Sequence, residues 1–174
     1  MKKTTLHLLT VVLFLVPAVS IADDFPQRKA GLWEVTTSAA GMPGGQVVKQ
    51  CIDATTDAAM MQVGKSMGGQ MGMSCAKNEV KKEGGSFVAE SDCNMAGTRM
   101  ISKTVFSGDF NSAYSAESTA RYEPAMMGMS ESKTKISARW LGPCEANQQP
   151  GDMIMPNGMK MNFKDMAKLG SQMP

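Results

Sequence analysis

CAKNEVKKEGGSFVAESDC, residues 75–93, carries two runs of mixed character on either side of Gly84-Gly85. A Gly-Gly pair between two such runs is a hairpin signal, because a tight two-residue turn needs positive φ at both central positions. In the second run, Phe87, Ala89, Ser91, Cys93 and Met95 alternate with Val88, Glu90, Asp92 and Asn94, the period of a strand. A hairpin folded about Gly84-Gly85 pairs residues whose numbers sum to about 168 or 169, which sets Cys75 against Cys93 within disulfide reach. Four cysteines allow three pairings, and this geometry favours Cys75–Cys93, leaving Cys51 with Cys144. The absence of a CxxC spacing argues against a redox or metal role for the thiols.

The same alternation extends in both directions from the hairpin. Upstream, Trp33, Val35, Thr37 and Ala39 share one face of a strand over 32–39, and 46–52 reads as a second. Between that strand and Cys75 the period changes. Asp53-Ala54-Thr55-Thr56-Asp57 supplies N-cap candidates for a helix over 58–67, which Gly68-Gly69 ends. Downstream, strands are expected over 99–106, 114–122 and 133–140. Tyr114, Ala116, Ser118, Ala120 and Tyr122 form the clearest alternation in the chain. The expected fold is mainly β: an antiparallel up-and-down meander of about seven strands, forming a barrel or half-barrel with one inserted helix. Trp33, Phe87, Tyr114, Tyr122 and Trp140 are expected to face the interior, as candidates to line a site for a small apolar ligand. Ala116, Ser118 and Ala120 would leave room there.

Three regions follow from composition. Residues 1–22 have the form of a cleaved signal peptide: Lys2-Lys3, an apolar stretch from Leu6 to Val19, and small residues before Asp23. Residues 23–144 form the disulfide-stapled β domain. Residues 145–174 are a Met-rich tail, with a linker over 145–158 and a short helix over 162–169. The expected compartment is the periplasm, with no membrane span after cleavage. Without Lys2 and Lys3, the remaining 16 Lys and Arg balance 16 Asp and Glu, so nothing in the charge supports nucleic-acid binding. The sole histidine, His7, lies in the leader. Its loss removes Ser-His-Asp and Cys-His chemistry and imidazole metal ligands, and a non-catalytic protein is expected.

Three stretches carry a family resemblance: Arg28-Lys29-Ala30-Gly31-Leu32-Trp33-Glu34-Val35, Val48–Ile52 with its cysteine, and Ala138-Arg139-Trp140-Leu141-Gly142-Pro143-Cys144. With the leader, they make the chain resemble the domain-of-unknown-function 3617 family of exported bacterial proteins. The resemblance covers 28–144. It implies a periplasmic β-rich domain with paired cysteines and brings no activity or catalytic residues. The residues after Cys144 depart from the family pattern.

The methionines are the remaining candidates. Thioethers are soft ligands suited to Cu(I), and Met71/Met73, Met127/Met129, Met153/Met155 and Met159/Met161 form four M-x-M pairs. The alternative to an apolar-ligand or envelope-protein binding module is therefore a Cu(I) or Ag(I) binder, with copper as the ion held. Against it stands Met as unbranched filler in a core poor in aromatics. Glu90 and Asp92 share a strand face with Asn94, at a spacing that suits an acid–base pair or a hard cation, but that face reads as solvated. Lys133, Lys135 and Arg139 likewise read as a wet basic stripe.

Overall fold

The computed structural model describes residues 25–40, 44–70 and 72–170, with the side chains of 63–70 and 167–170 excepted. The leader and Met71 lie outside the described residues. Seven strands follow the expected alternation: β1 (Gly31–Ala39), β2 (Gln46–Ile52), β3 (Ser74–Glu83), β4 (Ser86–Met95), β5 (Thr98–Asp109), β6 (Ala113–Met126) and β7 (Met129–Gly142). Helix α1 (Ala54–Gln70) is inserted after β2. Asp53 caps it reciprocally: its Oδ1 accepts from the Thr56 amide at 2.7 Å, and Thr56 Oγ1 accepts from the Asp53 amide at 2.9 Å.

Two further strands correct the linker reading of 145–158. β8 (Asp152–Ile154) and β9 (Lys160–Asn162) form a hairpin that adds to β2, and α2 (Phe163–Gly170) follows. Strands of three residues are too short to show a period of two, and Pro156-Asn157-Gly158 is the turn inside the hairpin.

The strands make one antiparallel sheet in the order β3-β4-β5-β6-β7-β1-β2-β8-β9. It does not close, so the fold is an open half-barrel. The first strand lies inside the sheet: β1 sits between β2 and β7, with Trp33 opposite Trp140 and Val35 opposite Ala138. At the entrance to β1, Gly31 has φ 134°. A Cβ there would overlap the Gly142 carbonyl and sit 2.5 Å from the Trp140 Nε1, so the close approach of β1 and β7 requires glycine.

Both disulfides form as the hairpin geometry indicates, Cys75 with Cys93 and Cys51 with Cys144. The β3–β4 ladder runs with Val80 opposite Ala89, a register that alone would put Cys75 against Asn94. A bulge between Cys75 and Lys77 shifts the pairing by one residue and brings Cys75 opposite Cys93, with Cα atoms 3.9 Å apart. The second bridge ties β2 to the chain just beyond β7, across the end of β1.

The core sits on the face carrying Trp33, Ala138 and Ile52, against which Val35, Tyr114, Trp140 and Met60 of α1 pack. The segment 25–30 completes it. Phe25 packs edge-on to Phe106 (4.6 Å) and Phe110 (5.3 Å), and Phe110 stacks on Tyr114 at 4.7 Å. Arg28 latches this segment to α1. Its backbone amide and Nε each donate to Asp57 at 2.8 Å, and the ion pair closes at 2.7 Å with Asp57 fully buried. Arg28 also donates to Gln50 Oε1 at 3.0 Å.

Candidate functional site

The five aromatic residues expected to line the interior divide. Trp33, Tyr114, Trp140 and Phe87 belong to the packed end of the inner face, where their polar atoms have partners. Trp33 Nε1 donates to the Lys29 carbonyl at 2.7 Å and Trp140 Nε1 to the Ala30 carbonyl at 3.1 Å. Lys29 lies over the Trp140 ring at 3.7 Å. Burial pushes the Tyr114 hydroxyl above its ordinary pKa, opposed by nearby Arg28. Tyr122 stands apart, toward the β4–β5 turn, and bonds Ser132 at 3.0 Å. Ala116 and Ala120 are both buried. Phe25 and Phe110 were not singled out from sequence, and Arg28 and Asp57, quoted there in the family stretch and at the helix start, gave no sign of pairing with each other, because their contact spans 29 residues.

The opposite face of the sheet carries the charges. Across β3 to β6 it forms a cleft of about 750 Å³ lined by Lys77, Glu90, Asp92, Lys103, Glu117 and Arg121 around Ile101, Val105 and Thr119. Strand alternation puts these side chains together: Ile101 is directly opposite both Asp92 and Arg121, and Val105 opposite Glu117. Lys77 donates to Glu90 at 2.6 Å and Lys103 approaches the other Glu90 oxygen at 3.4 Å. The Lys77 hydrogen bond, followed by Lys103, holds the Glu90 carboxyl below its ordinary value. Arg99 grips Asp92 through both carboxylate oxygens at 2.9 and 2.7 Å, which lowers that carboxyl as well. Glu90 and Asp92 are therefore committed to cations of the protein itself. Among the described residues no three His, Cys, Asp or Glu groups are placed to hold a metal ion. Of the basic stripe, Lys135 pairs with Glu117 at 3.0 Å, Arg139 with Glu34 at 2.8 Å and Lys133 with Glu131 at 3.1 Å. Arg121 has no ion pair among the described residues, and its guanidinium is the uncommitted charge in the cleft.

The methionine pairs fall in three places. Met73 precedes β3, Met127 and Met129 project from the β6–β7 turn with Met127 93% exposed, and Met153, Met155, Met159 and Met161 come together on the β8–β9 hairpin.

A family model described as "Protein of unknown function (DUF3617)" matches residues 28–144, and the chain belongs to that family. No curated protein and no solved structure matches it. The family unit therefore ends at the second disulfide, and β8, β9 and α2 lie beyond it. Among the described residues no helix is long and apolar enough to cross a membrane.

Proposed function

We propose that the protein is a non-catalytic binding domain of the periplasm that takes a small amphipathic anion in the cleft across β3 to β6. The observation that carries this reading is the cleft itself: an apolar floor of Ile101 and Val105 inside a charged rim whose one uncommitted group is Arg121. Its volume is in the range used for small-molecule sites, and an arginine suits a carboxylate or phosphate head. The periplasmic assignment rests on the leader-like N-terminus and on two disulfides that need an oxidising compartment. The non-catalytic assignment rests on the loss of His7 with the leader and on the pairing of all four cysteines.

The test is a laurate titration followed by amide NMR. Saturable shifts should centre on Ile101, Val105 and Arg121. Arg121→Glu should weaken binding at least tenfold while leaving the spectrum elsewhere unchanged. Shifts centred on Trp33 and Tyr114, or no saturation below the micelle concentration, would overturn the cleft reading.

A further inference from the structure

We infer that the β8–β9 hairpin is a thioether site for a soft monovalent cation, Cu(I) or Ag(I), separate from the β3–β6 cleft. The register places four methionines at the corners of one patch. Met153 is directly opposite Met161, and the Met155 amide donates to the Met159 carbonyl at 2.9 Å, so those two form the next cross-strand pair. Successive residues of a strand point to opposite faces, so all four share one face. The contacts of the intervening residues bear this out: on the other face Asn162 donates to Asp152 at 2.8 Å, and Lys160 reaches Asp152 at 3.2 Å.

Cross-strand Cα spacing of about 5.5 Å and a two-residue repeat of about 6.8 Å put every corner within roughly 4.5 Å of the centre of the patch. A methionine side chain has three rotatable bonds and covers that distance, so four sulfurs can converge on one ion. Thioethers neither titrate nor bind hard cations well, and they select soft ions such as Cu(I). Met153, Met155 and Met161 are half-buried, whereas Met159 is 51% exposed, which packing alone does not require and which leaves the ion a way in. The neighbouring β2 residue, Gln50 opposite Met153, is neutral, and the Arg28 bonded to it is neutralised by Asp57. The patch lies wholly outside the family-matched residues 28–144, so it is a property of this chain's extension.

The experiment uses the chain expressed with its own leader, recovered from the periplasm of a Gram-negative host with both disulfides formed. Cu(I) is added anaerobically in competition with a chromophoric chelator, and methionine ε-methyl NMR reports which thioethers respond. One Cu(I) per chain is expected, with the four hairpin methyls shifting together. The combined Met153→Leu, Met155→Leu, Met159→Leu and Met161→Leu variant keeps side-chain volume and should lose affinity at least a hundredfold. Met127→Leu with Met129→Leu, at the far hairpin tip, should change it less than twofold. If the fourfold variant does not fold, Met159→Leu alone at its half-exposed position should weaken binding at least tenfold. No Cu(I) uptake, equal affinity in the hairpin variants, or loss of binding in the tip variant would each overturn the site.

Discussion

Removing the two disulfides separately should cost unequal amounts of stability, and the inequality can be calculated from where the bridges fall. Cys51–Cys144 closes a loop with a sequence separation of 93, and Cys75–Cys93 one of 18. If a bridge acts by restricting the unfolded chain, the loop-length relation gives about 4.7 kcal/mol for the long loop and about 3.2 kcal/mol for the short one at 25 °C. The predicted gap is therefore about 1.5 kcal/mol. Each bridge has one buried cysteine, Cys51 at 1% and Cys93 at 3% exposed, so the two double-alanine variants carry similar cavity costs and the loop lengths decide the difference. The assay is urea unfolding at neutral pH of Cys51→Ala/Cys144→Ala and Cys75→Ala/Cys93→Ala beside the unaltered protein, by far-UV circular dichroism and tryptophan fluorescence. Against a total stability of about 5–15 kcal/mol for a domain, the long-loop variant should be marginal and the short-loop variant clearly folded. Equal losses, or a larger loss from Cys75–Cys93, would refute the entropic reasoning. They would mean that the β3–β4 edge depends on its bulged crosslink for native structure.

Two other predictions follow from polar contacts. Asp57→Ala leaves the Arg28 guanidinium buried without its partner and should cost about 3–5 kcal/mol in the same urea assay; a loss below 1 kcal/mol would show that segment 25–30 is not latched to α1. The Asp152 carboxyl is held below its ordinary value by the Gln149 amide, then by Asn162 and Lys160. A depressed folded-state pKa gives stability that is full above the unfolded value and is lost as pH falls through the folded one. The urea midpoint of the unaltered protein should therefore exceed that of Asp152→Asn at pH 6, and the excess should shrink as pH falls below the ordinary carboxylate value and through the depressed folded one; parallel curves would rule this out.

The parts of the fold that were legible were those written in a repeating pattern. From Tyr114 to Tyr122 the alternation is long enough to declare a strand, and the observed β6 extends it only at its ends. The Gly84-Gly85 turn, with φ of 55° and 88°, is the left-handed turn that the two glycines called for. What turn geometry left open was the register, because the one-residue choice was made by a bulge beside Ala76, a residue with nothing in its type to announce it. The β8–β9 hairpin was hidden by its brevity. Its methionine spacing was visible as M-x-M pairs, but their convergence depends on a turn that centres Met155 against Met159, which only the paired backbone displays. The cleft was missed for a different reason. Glu90, Asp92, Lys103 and Arg121 each look like ordinary solvated residues along their own strands, and only neighbouring strands make a concave surface of them.

The position of β1 bears on how the molecule comes into being. Its partners are β2, made immediately afterwards, and β7, made near the end, with Trp33 waiting for Trp140. A chain growing or threading from its amino end holds that indole without its eventual neighbour while the five intervening strands, β2 to β6, emerge. Long-range pairing of this kind is slow and leaves apolar surface open to strangers in the interval. Until its last third arrives, the half-finished molecule leaves one edge of β1 unclaimed, a liability wherever sticky company is near.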